Sequence, residues 1–228
     1  PGTVLYPTND HLAWLFAAHR TELSRHFRVM HPSEEVTLSL LDKGRLTEVC
    51  HELGIDVPQT LYAETDAELV ALAKEKGTFP MLIKPRTQIY LESGIKGSLV
   101  ETHAALAETL ERYNALVRFN PALAKPHPEV TRPMLQAYHT AAETSIFSVS
   151  GYVDDDHLVT RSAMKVLQRP RKVGIGLCFE GREPEPRVLE QLRALFTKVG
   201  YRGAFEAEFI ADGDRRMLID VNPRFYSQ

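Results

Sequence analysis

Apolar positions near the N-terminus come in two periods. Val4 to Pro7 reads as a strand, after which Asn9 or Asp10 can cap a helix whose Leu12, Leu15, Phe16, Leu23 and Phe27 recur at helical spacing. Val36 to Leu41 is a short apolar run and reads as a strand. Lys43 to Leu53 reads as a helix stopped by Gly54. Thr65 to Lys76 predicts a second helix, with a Thr65/Glu68 capping box at its start and Gly77 as its C′ stop. Phe79 to Lys84 is a strand ended by Pro85. Glu92 to Ser98 holds two glycines and a lysine between β segments and reads as a flexible loop, followed by a helix from Thr102 to Leu116.

The pattern changes at Asn120 to Pro133, which carries four prolines and neither period, so it reads as a linker between two lobes. Beyond it Met134 to Tyr138, Ser145 to Val153, His157 to Leu167 and Gly174 to Phe179 are rich in β-formers and predict one antiparallel sheet, with an acidic turn at Asp154 to Asp156. A helix opens at Pro184, carries Leu189, Leu192, Leu195 and Phe196 on one face, and closes at Gly200. Ala204 to Ile210 and Arg216 to Val221 then read as strands flanking an Asp212-Gly213 turn. No internal repeat is evident, which excludes a solenoid.

Composition narrows the function classes. With 228 residues, 43% of them apolar, the chain can bury a full core. A net charge of −3 argues against a general nucleic-acid or anionic-membrane binder, since no basic excess exists to release counterions. Cys50 and Cys178 stand far apart in no ligand spacing, so a disulfide scaffold and structural zinc are poor readings and the cytoplasm is the expected compartment. No apolar run approaches the roughly 20 residues that span a bilayer. The chain starts at Pro1 and enters a strand almost at once, so it is expected to be cut from a longer sequence.

Chemistry concentrates at the C-terminus. Strand alternation puts Glu206 and Glu208 on one face, and Asp220 and Asn222 on one face. Whether those faces coincide depends on the turn. A two-residue loop at Asp212-Gly213 would send Asp220 to the opposite face, and a three-residue loop restores coincidence, so an odd-length, bulged turn is expected. Glu208 would then lie opposite Leu218 or Asp220, where like charges about 5 Å apart repel unless a cation intervenes. Oxygen-only ligands select Mg²⁺ or Mn²⁺, which complete their shells with waters and phosphates, and so imply a nucleotide. An ordinary solvated strand face is the alternative. Lys84 ends the apolar strand Met81-Leu82-Ile83 between two prolines, and Lys43 starts a helix whose dipole favours anions. There is no GxxxxGK[ST], GxSxG or HExxH to suggest another catalytic kit.

Asp42-Lys43, Met81 to Pro85, the Gly94/Gly97 loop, Leu135 to Tyr138 and Glu208 with Asp220-Val221-Asn222-Pro223-Arg224 together resemble the ATP-grasp superfamily, and more narrowly its carboxylate-amine ligases. The resemblance implies an α+β fold of two lobes gripping ATP, preceded by the end of an N-terminal α/β domain. Residues 1–35 would be that remnant, 36–125 the small lobe with connecting helices, and 126–228 an incomplete large lobe. It makes Lys43 and Lys84 phosphate contacts, and Gly94 to Ser98, with Lys96 and Ser98, the phosphate flap. Gln136, Ala137 and Tyr138 would face adenine and Glu143 the ribose. Glu208, Asp220 and Asn222 would hold one or two Mg²⁺ ions, with Arg224 at the transferring phosphate. Arg161 and Lys165, followed by Gln168, Pro170, Gly174 and Gly176, are similar to the basic strand and glycine loop near the γ-phosphate. Two residues depart from the family pattern: Asp220 stands where Glu is usual, and Gln136 where Glu often opens the hinge.

The implied activity is ATP-dependent joining of a small carboxylic or amino acid to an amine through an acyl phosphate, with carboxylate and amine as partners, no nucleic acid or membrane, and a homodimer as the family habit. The alternatives are a kinase-like or carbamoyl-phosphate-type enzyme that joins no amine, and a nucleotide-binding module whose catalysis has decayed.

Overall fold

The computed structural model describes residues 2–92, 97–155, 157–169 and 175–226. In chain order its elements are β1 (Val4–Leu5), α1 (Asp10–Ala18), α2 (Arg20–Leu23), β2 (Arg28–Val29), α3 (Glu34–Leu41), α4 (Lys43–Glu52), β3 (Thr60–Leu61), α5 (Asp66–Lys76), β4 (Met81–Pro85), β5 (Ser98–Val100), α6 (Leu106–Leu116), α7 (Pro121–Ala124), β6 (Pro133–Ala137), β7 (Ile146–Val153), β8 (Leu158–Arg169), β9 (Ile175–Arg182), α8 (Pro186–Val199), β10 (Gly203–Asp212) and β11 (Arg215–Asn222). Short 3₁₀ turns precede α6 and lie at Pro128–Thr131 and Thr140–Glu143. The fold is α+β, as the sequence predicts. Among the described residues no helix is long and apolar enough to cross a membrane.

The chain divides into two compact units, residues 1–57 with 141–228, and residues 58–140. These extents differ from divisions at 35/36 and 125/126. The reason is packing: Leu40, Leu46, Cys50 and Ile55 from α3, α4 and the turn after them are buried in one cluster with Phe147, Phe205 and Phe209.

The unit of residues 58–140 is built on the four-stranded sheet β3-β6-β4-β5, all pairs antiparallel. α5 begins with the expected capping box, the Thr65 side chain accepting from the Glu68 N–H while the Glu68 carboxylate accepts from that of Thr65. Gly77 follows as an extended C-cap with φ −71° and not as a left-handed stop. Leu69 and Ala73 of α5 and Leu106, Leu110 and Tyr113 of α6 cover Met81, Ile83 and Leu135.

The other unit carries the five-stranded antiparallel sheet β11-β10-β7-β8-β9 and the two-stranded parallel pair β1-β2. β6, expected to join β7 and β8, pairs instead with β3 and β4. β propensity identifies a strand without naming its partner. Val36 to Leu41, expected as a strand, lies in α3. Ser33 caps that helix, its hydroxyl accepting from the Val36 N–H at 3.4 Å, and Glu34 and Glu35 sit in the first turn where the helix dipole favours negative charge. A short apolar-rich run cannot by periodicity alone be told from a buried helix segment. α8 starts with Pro186 in its first turn and ends at Gly200, whose φ of 72° is the left-handed cap that glycine tolerates best.

One face of the large sheet is sealed. Phe147 and Val149 of β7, Phe205, Ala207 and Phe209 of β10, and Leu218 and Val221 of β11 bury against Val188, Leu192, Leu195 and Phe196 of α8 and against α4. The alternate residues of the same strands point to the opposite face, and that face carries the charged groups.

Candidate functional site

The β10-β11 hairpin settles which carboxylates meet. Its loop has two residues, Asp212 pairing with Arg215, so the turn is even and not the odd one expected. Phe209 pairs with Leu218, but Glu208 pairs with Asp220, because a β-bulge at Ile219 adds a residue to β11. The bulge lets Leu218 and Val221, three residues apart, both enter the core, and it swings Asp220 and Asn222 onto the face of Glu208 and Glu206. Coincidence of the faces is therefore achieved within the strand. Glu208 sits opposite Asp220 and Glu206 opposite Asn222.

On the other side of β10, Glu208 is opposite Ser148 and Glu206 opposite Ser150; these face Ala163 and Arg161 of β8 in turn. Rows of side chains thus cross four strands.

Directly opposed carboxylates repel, and two ammonium groups balance them. Lys165 Nζ donates to Glu208 Oε1 at 2.7 Å, and Lys43 Nζ donates to Asp220 Oδ1 at 2.5 Å. The Lys43 and Lys165 side chains are 11% and 6% exposed, so both charges are held in a largely dehydrated setting. Lys43 reaches β11 because it is the first residue of α4, fixed there by Asp42, a fully buried N-cap whose carboxylate accepts from the Gly44 N–H at 2.8 Å. Gly176 leaves room for this arrangement: a Cβ there would lie 2.4 Å from the Phe179 ring and 3.0 Å from Lys165 Cε. Asn222 is oriented from both ends, its Nδ2 donating to Glu206 Oε2 at 3.3 Å and its Oδ1 accepting from Arg224 Nη2 at 3.1 Å. Arg224 is in turn held by Asp10 Oδ1, 2.5 Å from its Nε.

Glu206 is the residue that sequence reasoning places on the right face and leaves out of the ligand set. Burial, followed by the Glu208 charge, pushes its carboxyl up to about 7, with Asp220 adding and Arg224 and Lys165 opposing. The folded protein therefore keeps a proton between pH 4.5 and 7 that the unfolded chain releases, so this group lowers stability as pH rises through that window and its full cost stands above it. In metal-free protein, Glu206→Gln is expected to raise stability at pH 8 by on the order of 3 kcal/mol and to leave it little changed near pH 4. Thermal unfolding in chelator at the two pH values checks this; equal shifts at both would count against it.

Of the other expected site residues, Arg161 is on the same face, exposed, with Nη1 donating to the Thr160 carbonyl. In residues 58–140, Lys84 Nζ donates to Gln136 Oε1 at 3.1 Å, and Gln136 Nε2 to Thr60 Oγ1 at 3.3 Å, so the glutamine holds the lysine. Ser98 begins β5 and pairs with Ile83, which puts it on the face of β4 opposite Lys84 and Gln136. Ala137 ends β6, Tyr138 donates its N–H to the Pro80 carbonyl, and Glu143 ends the 3₁₀ turn at 140–143. Lys96, with Gly94, Pro170 and Gly174, lies outside the described residues. Asp10 reads from sequence as a helix cap; its pairing with a residue 214 positions away has no sequence signal.

Among the described residues no group of three or more His, Cys, Asp or Glu side chains converges as a metal-ligand set. Glu208, Asp220 and Asn222, the residues expected to hold a cation, offer carboxylate and amide oxygens, a set that suits a hard divalent ion completed by waters and phosphate.

No protein-family model matches the sequence. Among curated proteins the chain is similar to the carbamoyl phosphate synthase large chain of Rubrobacter xylanophilus, with 25% identity over 203 residues, 86% of this chain and 18% of that protein. Among solved structures it is similar to a biotin carboxylase–β,γ-ATP complex from Campylobacter jejuni, with TM-score 0.76 and 18% identity, covering 98% of this chain and 49% of that one. An L-amino acid ligase from Bacillus licheniformis matches with TM-score 0.65 and 13% identity, covering 92% and 46% of the respective chains. D-alanine–D-alanine ligase from Bacillus anthracis, complexed with ATP, matches with TM-score 0.58 and 14% identity over 90% and 63%. The chain thus spans less than a fifth of the curated relative and about half of the first two structures.

Proposed function

We propose that this chain, which has the ATP-grasp fold, binds Mg·ATP and transfers the γ-phosphoryl group to a small carboxylate as part of a carboxylate-amine ligase. The observation that carries this reading is the row of opposed carboxylates, Glu208 against Asp220, each tied to a largely buried lysine. Such a row has little structural use, since a pair of apolar residues would stabilise the strands more simply. It suits a site where several phosphate charges and a dication arrive together.

Glu208, Asp220 and Asn222 would hold the divalent cation, which when bound neutralises phosphate charge. Lys43 and Lys165, already positioned by these carboxylates, would then offer their ammonium groups to phosphate oxygens, and Arg224, fixed by Asp10 and Asn222, would face the group in transfer. Lys84, held by Gln136, is the nucleotide contact of residues 58–140, with Ala137, Tyr138 and Glu143 as base and ribose contacts and Lys96 and Ser98 as flap residues. In the reaction a carboxylate oxygen bonds to the γ-phosphorus as the bond from that phosphorus to the β,γ-bridging oxygen breaks, and ADP leaves with the electron pair. An amine nitrogen then bonds to the acyl carbon, inorganic phosphate leaves, and the nitrogen loses a proton. The protein contributes positioning and charge neutralisation and no nucleophile of its own.

Calorimetric titration of ATP, with and without Mg²⁺, into the chain and into Lys84→Ala and Asp220→Ala tests the reading. Mg²⁺-dependent binding is expected, weakened at least tenfold by either substitution. Mg²⁺-independent binding, or none in a folded chain, would reject it. The likeness to carbamoyl phosphate synthase favours one second reading, phosphoryl transfer to a small acid without an amine; ADP release that is saturated by an acid alone would select it.

A further inference from the structure

The two carboxylates expected to hold a cation are each bonded to an ammonium group. Lys165 Nζ donates to Glu208 Oε1 at 2.7 Å and Lys43 Nζ to Asp220 Oδ1 at 2.5 Å, while Glu208 and Asp220 oppose each other across β10 and β11. Neither lysine reaches out into water. Their side chains are 6% and 11% exposed, and the Lys165 stem runs so close to β9 that a Cβ on Gly176 would lie 3.0 Å from its Cε. Arg224 nearby is matched in the same way by Asp10. Glu208, Asp220, Lys43 and Lys165 therefore form a balanced set, two negative charges against two positive ones, each within hydrogen-bonding distance of its opposite.

That balance decides how a divalent cation can enter. Magnesium sits about 2.1 Å from its oxygen ligands, so an ion on either of the two bonded oxygens would lie within about 5 Å of an ammonium. The repulsion at that distance is weakly screened, because both lysines are withdrawn from water. A nucleotide changes the sum. Its phosphate oxygens accept from the same ammonium groups. Once these turn to phosphate, the carboxylates are left as a pair of opposed anions, which repel unless a cation joins them.

We propose that Lys43 and Lys165 are internal stand-ins for the cation, which keep Glu208 and Asp220 from free divalent metal and release them only when the phosphates of a nucleotide draw the lysines away. This rests on the Mg·ATP reading above and adds a second role to the lysines, as competitors of the metal. The exchange makes no covalent bond and moves no proton. Each ammonium passes from a carboxylate oxygen to a phosphate oxygen, and each carboxylate from an ammonium to the cation. Lys165 comes from β8 and Lys43 from the start of α4, one to each carboxylate, so the ligand that draws off both must present several anionic oxygens. Metal and nucleotide then tighten each other by the same factor.

The probe is Mn²⁺, its free and bound forms counted by electron paramagnetic resonance on the full chain, with Tm as a second readout. Without nucleotide the parent is expected to bind Mn²⁺ weakly and to gain no Tm from it. Lys165→Met and Lys43→Met should each bind Mn²⁺ alone more tightly than the parent, by on the order of tenfold or more, and gain Tm on its addition, while binding ATP with Mg²⁺ more weakly. Lys165→Arg, which keeps the charge beside Glu208, should behave toward Mn²⁺ as the parent does. If Lys165→Met does not fold, Lys43→Met carries the test, since Asp220 is the more exposed carboxylate, 30% against 21%. A parent that binds Mn²⁺ alone as tightly as the folded methionine variants overturns the proposal, and Mg²⁺-dependent ATP binding by that parent leaves the ligase reading standing. Failure of a folded parent to bind ATP removes both.

Discussion

Replacing Glu208 with glutamine is expected to cost the metal-free protein about 3 kcal/mol, roughly a 10 °C fall in Tm, and also to abolish the Mg²⁺ dependence of ATP binding. The first effect follows from Lys165. Its side chain is 6% exposed and its Nζ lies 2.7 Å from Glu208 Oε1, so removing the carboxylate charge leaves an ammonium in a dehydrated place with its nearest counter-charge gone. The second effect follows from the donor set, since the amide is a weaker ligand than the carboxylate for a hard cation. The two effects come apart in a double variant. Lys165→Met removes the stranded charge, so Glu208→Gln/Lys165→Met should recover most of the lost stability, a coupling that a double-mutant cycle measures directly. It should not recover Mg²⁺-dependent ATP affinity. Denaturant unfolding and calorimetry on the four proteins decide the matter. A double variant that binds Mg·ATP like the parent would reduce Glu208 to a structural partner of Lys165, and an undiminished Tm in Glu208→Gln would mean that the ion pair contributes nothing.

What can be read from the sequence is local. The capping box at Thr65/Glu68, the glycine stop at Gly200 and the alternation that puts Glu206 with Glu208 each depend on residues within four positions of one another, and each is present in the structure. What cannot be read depends on partners. Val36 to Leu41 forms part of α3 because Leu38, Leu40 and Leu41 bury together once Ser33 caps the segment, an outcome decided by packing. β6 belongs to a different sheet from the one expected because a strand's own residues do not name its neighbour. At the hairpin, the need for Glu208 and Asp220 to share a face is legible, but the turn is where sequence reasoning looks for the device. It lies instead at Ile219, where Leu218 and Val221 both belong to the core, and that three-residue spacing between two apolar residues is itself a visible mark of a bulge.

The same bulge ties the site to the core behind it, which makes Phe205 the position where loss of packing should matter most. Phe205 is fully buried between Ala204 and Glu206, and its ring lies 4.5 Å from that of Phe196 on α8. Truncation to alanine removes a whole ring from beneath β10, the strand that holds both glutamates. A cost of about 4 kcal/mol is expected, against about 1 for Phe205→Leu, which keeps most of the volume. For a chain of this size the alanine variant should lose roughly 10–15 °C in Tm. Strand alternation points the ring away from Glu206 and Glu208, so the molecules that remain folded at low temperature should bind Mg·ATP within a few-fold of the parent. Denaturant melts with calorimetry at about 10 °C separate these outcomes. A cost below about 1 kcal/mol for the alanine variant would mean that α8 collapses onto the sheet without the ring. Loss of nucleotide binding at full folded population would mean that the opposite face depends on the packing of Phe205 against Phe196, and that Glu206 and Glu208 are held in register by the core as much as by Asn222 and Lys165.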